Sequence, residues 1–183
     1  MTPRRIVVLG VSGAGKSTLS RPLAALVGGP HVELDAIAHG PGWTTPPVEE
    51  FRARLAAATA GPAWVVDGNY VDRTAEVLWH RADLLVWLDQ PLRVVVPRLL
   101  RRSLGRIVRR TELWNGNREG LNALVGSDSV IAWAIKQHRG HRTAHPARLA
   151  GLPHLRLRST AEADRWLTAF GEAVRRGPGP TPP

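Results

Sequence analysis

One octapeptide constrains this chain more than any other feature. Gly10-Val11-Ser12-Gly13-Ala14-Gly15-Lys16-Ser17 follows directly on the apolar run Ile6-Val7-Val8-Leu9 and opens an amphipathic stretch that continues to Val27. It satisfies the pattern G-x-x-x-x-G-K-[ST] in its proper setting, between an expected strand and an expected helix. Glycines there let the backbone fold so that successive N–H groups face inward as an anion nest, and the helix N-terminus adds its positive end. Gly10, Ser12, Gly13, Ala14, Gly15, Lys16, Ser17 and Thr18 are therefore the expected cradle of a polyphosphate. ATP and Mg2+ are the cofactors this implies, with Lys16 reaching the β- and γ-phosphates and the Ser17 hydroxyl on the metal. The only lysines are Lys16 and Lys136, in a chain whose other cations are arginines. A compact ammonium is kept where one must reach between phosphates.

Short β-branched and apolar runs alternate with helical patterns along the rest of the chain. Strands are expected at 6–9, 31–34, 64–66, 84–88 and 155–157, and helices at 16–27, 48–59, 91–110, 127–138 and 161–175. Each strand is separated from the next by enough chain for a crossover helix, so the expected fold is α/β, a parallel sheet with helices on both faces. The 183 residues suit one domain, expected over 1–176, and the Pro/Gly-rich tail 177–183 is expected to be disordered. Residues 40–47 read as a loop, and Gly116, Gly120 and Gly126 break any helix over 111–127. The absence of cysteine excludes disulfides, zinc–thiolate sites and thiol catalysis. With no membrane-length apolar run and no export signal, a cytoplasmic location is expected.

Ligands of an open parallel sheet collect at the carboxyl ends of its strands. Asp35, Asp67 and Asp89 each end an expected strand. Asp67, after Trp64-Val65-Val66, is preferred for magnesium over Asp89, which precedes Gln90-Pro91 and can serve a helix start. Asp35 is placed either to accept or orient the proton of an acceptor hydroxyl or to cap the following turn, and both readings stand.

Arg98, Arg101, Arg102, Arg106, Arg109 and Arg110 recur at spacings of three and four, so they line one helical face. Arg98 and Arg102 are the expected pair to neutralise a transferring phosphate, at the start of a lid over about 98–126; the others read as a solvated basic face. The formal charge of +10 admits a second reading, contact with nucleic acid. It is not favoured, because no nucleic-acid module is present and aromatics do not interleave with the basic run. His138, His141 and His145 stand among arginines at 139, 142 and 148, which would repel a cation, and are expected at the surface. Trp64 and Trp87 fall in strands and are expected in the core. Trp43 either walls the acceptor pocket or packs its own loop.

The loop motif, Glu33-Leu34-Asp35, Pro41-Gly42-Trp43 and Val66-Asp67-Gly68-Asn69-Tyr70 together resemble the small adenylate-kinase-like proteins of the DNA topology modulation (FlaR-type) group, over about residues 4–170. Val66-Asp67-Gly68 followed by Arg73-Thr74 is also similar to the Asp-Gly-Phe-Pro-Arg-Thr segment of adenylate kinases. The resemblance implies that Asp67 helps hold magnesium and that Asp35 and Arg73 meet the acceptor; Ser17 is expected beside Asp67 at the metal, and Trp43, Asp67 and Asn69 are further expected contacts of the acceptor. Asp35 is similar in placement to the Asp that holds the substrate hydroxyl in shikimate and gluconate kinases. The implied architecture is the three-layer P-loop NTPase fold, a five-stranded parallel sheet in the order 2-3-1-4-5 with a short lid. Asn69-Tyr70-Val71-Asp72 stands where adenylate kinases have Phe-Pro, so Arg73 is displaced by two residues and an AMP site does not transfer intact. Pro97 implies a kink in the helix after Pro91. The expected function is transfer of the γ-phosphate of Mg-ATP to a small acceptor, a nucleotide or a hydroxylated metabolite. The alternative is a nucleic-acid-associated ATPase that uses ATP as a switch.

Overall fold

The structure, a computed structural model, describes residues 2–70, 74–124 and 129–177. Continuous apolar runs form its strands, as expected where both faces of a sheet are covered. They are β1 (Arg5–Leu9), β2 (His31–Glu33), β3 (Trp64–Asp67), β4 (Leu84–Leu88) and β5 (His154–Leu157). All pair in parallel, in the order β2-β3-β1-β4-β5. The helices are α1 (Lys16–Val27), α2 (Leu34–Ala38), α3 (Val48–Ala58), α4 (Leu92–Val108), α5 (Val130–Leu149) and α6 (Thr160–Arg176), with a π-helical turn at Ala75–Trp79.

Successive strand side chains point to opposite faces, and this splits the core in two. Ile6 and Val8 meet Leu19, Leu23 and Val27 of α1, Val95 of α4 and Phe170 of α6. Val7 and Leu9 meet Trp64, Trp87, Phe51 and Leu55 of α3, and Leu149 of α5. Trp64 and Trp87 lie in the core as expected. Ser159 caps α6 by accepting from the Glu162 N–H at 3.1 Å, while Glu162 accepts from the Arg158 N–H at 2.7 Å. Among the described residues, no helix is long and apolar enough to cross a membrane.

Three expectations are corrected. First, β2 ends at Glu33 and Leu34–Ala38 turns into a helix, so Asp35 occupies a first helical turn rather than a strand end. The ladder stops because β3 ends at Asp67 and Gly68 turns away at φ 149°. Leu34 packs over that glycine, where a Cβ would come within 2.6 Å of its own. Second, α5 runs on to Leu149 instead of ending at His138. The expected start, Ser127, lies outside the described residues, and Ser129 caps the helix through the Ala132 N–H at 3.2 Å. Third, His138, His141 and His145 are buried, not at the surface. They share one face of α5; His145 stacks on His141 at 4.3 Å and sets its edge against Trp87 at 5.0 Å. Burial pushes the imidazoles of His141 and His145 down to about 4. Their helical period, not the neighbouring charges, decided their place. Helix α4 continues through Pro97, the position where a kink is expected. The tail residues 178–183 lie outside the described residues.

Candidate active site

β1 delivers the glycine-rich loop to the carboxyl edge of the sheet. Its glycines are imposed by contact as well as by dihedral angle. A Cβ on Gly10, at φ 150°, would come within 2.9 Å of the Leu88 carbonyl oxygen; one on Gly13, at φ 85°, would meet the Val95 carbonyl of α4 at 2.9 Å. The loop is thus pressed onto β4 and α4, and its free side faces a cavity. The Gly10 N–H donates to Asn69 Oδ1 at 3.0 Å. Asn69, expected on the substrate, therefore ties the loop to the end of β3, although it also lines the neighbouring cavity.

Two cavities open at this edge. One, of about 600 Å³, is lined by residues 12–18 of the loop together with Glu33, Asp67, Arg98, Thr160 and Leu167. The other, of about 870 Å³, is lined by His39, Trp43, Asn69, Tyr70, Trp114, Trp133 and Gln137 among others. Ser12, Lys16, Asp35, Arg102 and Arg106 line both, so they form the wall between them. Among the described residues, Lys16 Nζ finds only the Val11 carbonyl, at 3.4 Å. Burial pushes this ammonium below its ordinary range against the opposing pull of Asp35, Asp67 and Glu33, with Arg102 adding repulsion. A desolvated cation with no carboxylate at ion-pair distance among the described residues is the chemistry a phosphate oxygen satisfies. With the Ser17 hydroxyl and strand-end carboxylates beside it, the donor set fits a polyphosphate accompanied by a hard cation.

Asp67 is 3% exposed and closes β3. Its Oδ2 accepts from His31 Nε2 at 2.8 Å. Asp89 is committed elsewhere: Arg142 Nε donates to Oδ1 at 2.8 Å and Arg156 Nη2 to Oδ2 at 2.6 Å. Burial raises the Asp89 carboxyl, but the two guanidinium bonds outweigh it and hold it below the usual carboxylate range. Of these two aspartates, Asp67 is the one that lines the loop cavity.

Asp35 Oδ1 accepts from the Tyr70 hydroxyl at 2.9 Å, and that hydroxyl lies 3.0 Å from His39 Nε2. Neither Tyr70 nor His39 was expected in the site. Tyr70 is the chain's one tyrosine and stands in the Asp-Gly-Asn-Tyr stretch, a signal that was available. His39 follows Asp35 by four residues, a signal only once 34–38 is read as a helix.

Of the arginine face, Arg98, Arg102 and Arg106 reach the cavities. Arg98 donates to Thr160 Oγ1 at 3.0 Å and Arg106 pairs with Glu119 at 2.6 Å. Arg101, Arg109 and Arg110 are exposed. Arg73 lies outside the described residues. Trp43 is 41% exposed and sets its ring against His39 at 5.3 Å.

Within the expected lid, Trp114–Gly116 forms a tight turn docked on the segment after Asp35. Trp114 Nε1 donates to Glu33 Oε2 at 3.0 Å. Asn115 Nδ2 donates to the carbonyls of Ala36 and His39. Asn117 Nδ2 donates to the Gly40 carbonyl at 2.9 Å, and its Oδ1 accepts from the Trp43 N–H at 2.8 Å.

No protein-family model matches the chain, and no curated protein matches it in sequence. Solved structures do match it over nearly its whole length. Shikimate kinase from Acinetobacter baumannii, in complex with shikimate, is 18% identical with a TM-score of 0.55, over 95% of this chain and 94% of that one. A gluconokinase from Sinorhizobium meliloti 1021 is 19% identical, TM-score 0.54, over 96% and 97%. Deoxyadenosine kinase from M. mycoides, with dCMP and dCDP bound, is 13% identical, TM-score 0.53, over 93% and 96%. At these identities the likeness establishes the fold: the chain has the five-stranded, all-parallel P-loop fold that these small-molecule and nucleoside kinases share.

Proposed function

We propose that this protein is an ATP-dependent phosphotransferase that moves the γ-phosphate of Mg-ATP onto a hydroxyl group of a small acceptor. The observation that carries this reading is the shared wall: Lys16, Asp35 and Arg102 line both the loop cavity and the larger cavity beside it. A group transferred from one cavity to the other would pass a desolvated ammonium, a guanidinium and a carboxylate. Phosphoryl transfer asks for little else, since catalysis comes from positioning and from neutralising charge on the moving group.

Bound in the loop cavity, Mg-ATP supplies the transferable phosphoryl group. The N–H groups of residues 12–18 would hold its anionic oxygens, and Ser17 Oγ and Asp67 would serve the metal. Lys16, Arg98 and Arg102 would neutralise phosphate charge, and Asp35 would orient the acceptor hydroxyl and receive its proton. Trp43, Trp114 and Trp133 on the larger cavity suit an acceptor with a flat or ring-shaped apolar face. Shikimate kinase and gluconokinase among the structural neighbours support a hydroxylated metabolite, and deoxyadenosine kinase supports a nucleoside. Asn69 and Tyr70, each with a hydrogen bond in the site, support kinship with the FlaR-type group. A cytoplasmic location belongs to the same reading.

The test is ADP release from Mg-ATP against a panel of nucleosides, nucleoside monophosphates and small hydroxylated metabolites. Stimulation by one acceptor, lost in Lys16→Ala, is expected. ATP that binds but is not turned over faster with any of them would overturn the reading.

A further inference from the structure

We infer that Tyr70 and His39 are positioning residues for Asp35, joined in one directed hydrogen-bond line, His39 Nε2–H to Tyr70 Oη–H to Asp35 Oδ1. The inference rests on the phosphotransferase reading above.

The direction follows from counting hydrogens. The Tyr70 oxygen lies 2.9 Å from Asp35 Oδ1 and 3.0 Å from His39 Nε2, and it owns one hydrogen. An ionised carboxylate only accepts, so that hydrogen goes to Asp35. The contact to His39 must then be filled from the imidazole side, which assigns the proton to Nε2. His39 Nδ1 agrees: it is buried with no hydrogen-bond partner among the described residues, a place that tolerates a bare nitrogen better than an unpaired N–H.

Ring packing does not account for the hydroxyl. The Tyr70 ring tilts against Phe51 at 5.8 Å and meets His39 at 6.4 Å, contacts a phenylalanine would make as well. The His39 ring is held between Trp43 at 5.3 Å and Trp114 at 6.2 Å. Asn115 takes the carbonyls of Ala36 and His39, so α2 cannot rotate freely and the line keeps its geometry. What the line does to Asp35 is specific. It occupies Oδ1 with a donor, fixes the carboxylate plane at the wall between the cavities, and leaves Oδ2 for the acceptor hydroxyl. Held in this way, Asp35 orients the hydroxyl and receives its proton on Oδ2 as the new O–P bond forms.

The experiment is steady-state kinetics with the stimulating acceptor, combined with ¹⁵N NMR of the His39 ring. Tyr70→Phe is expected to lower kcat roughly 10- to 100-fold, with KM for ATP unchanged. His39→Leu should lower kcat to the same extent, and the double variant should be no worse than either, because the two residues act in series. His39→Gln, whose amide can still donate to the tyrosine oxygen, should keep kcat within about threefold of the parent. Equal losses in His39→Gln and His39→Leu, or a Tyr70→Phe that lowers Tm but not kcat, would overturn the inference. The NMR readout needs no acceptor: the parent should show Nε2–H with a bare Nδ1, and Tyr70→Phe should change that signature. An Nδ1–H ring in the parent overturns the hydrogen-bond line itself. The expected ring with no stimulating acceptor instead overturns the phosphotransferase reading, and the positioning role with it.

Discussion

Asn69 shows how one side chain can answer to two different roles. Its Oδ1 takes the first N–H of the glycine-rich loop at 3.0 Å, while its body lines the larger cavity. If anchoring the loop is its work, Asn69→Ala should weaken ATP binding about tenfold, the worth of one lost hydrogen bond of about 1.4 kcal/mol, and leave the acceptor KM alone. Calorimetry with ATP set against acceptor kinetics separates this from direct contact with the acceptor, which would show the opposite split. Gly13 allows a second forecast. Alanine there would need φ 85° and would put its Cβ 2.9 Å from the Val95 carbonyl oxygen, so Gly13→Ala should lower stability by about 1–3 kcal/mol in urea unfolding. Residues of the loop were legible in the sequence because one contiguous pattern encodes their chemistry. The contact of Tyr70 and His39 with Asp35 was not, because it forms only after β2 and β3 have paired and α2 has turned.

At the scale of elements, the uncertain pieces are those whose form depends on a partner. α2 has five residues, too few to form on propensity, and exists because Leu34 is drawn over Gly68 and because Asn115 ties its carbonyls. The Trp114–Gly116 turn is the reciprocal case: its glycine and asparagines read as a break in the sequence, and they are what lets it dock. Asn117 is 4% exposed and serves Gly40, Trp43 and Trp114 at once. Asn117→Ala should cost about 2–3 kcal/mol, since buried partners are left unpaired. Amide exchange over 36–43 and 112–118 should then accelerate together, and the acceptor KM should rise while ATP affinity holds. Acceleration of the second segment alone would mean that the turn is not what holds α2 in place. α5 was misjudged at its far end for a different reason. Gly140 and a run of histidines and arginines look like an exit, yet the helix continues because His141, His145 and Leu149 follow the same buried stripe as Ala134 and His138.

For the whole molecule, the alternation of apolar strands with crossover helices made a parallel α/β sheet readable, while the strand order came from the family resemblance. The ionic behaviour of the interior was not readable, since it depends on which histidines lie beneath the helices. His141 and His145 sit between α5 and the sheet with imidazoles held down to about 4, by burial first and also by Arg148, and at His145 by the neighbouring His141 as well. Lys16 and His138 add repulsion at His141, and Asp89 opposes the shift at His145. In the unfolded chain both titrate near the ordinary 6.5. Between about 6.5 and 4 the unfolded state therefore binds protons that the folded state refuses, so stability falls as pH falls through that window. Each ring can account for at most about 3 kcal/mol, and their contact makes the pair worth less than twice that. The carboxylates act lower: Asp89, held below its usual range by Arg142 and Arg156, keeps its contribution until pH falls through the ordinary carboxylate range and below. Urea midpoints measured from pH 8 to pH 4.5 should thus begin to decline near pH 6.5, above the range in which Asp89 loses its contribution. His145→Phe should remove about half of that slope, because neither His145 ring nitrogen has a hydrogen bond to lose among the described residues and the new ring can still meet Trp87. A midpoint that stays flat down to pH 5 would mean that these histidines are hydrated or charged in the folded protein.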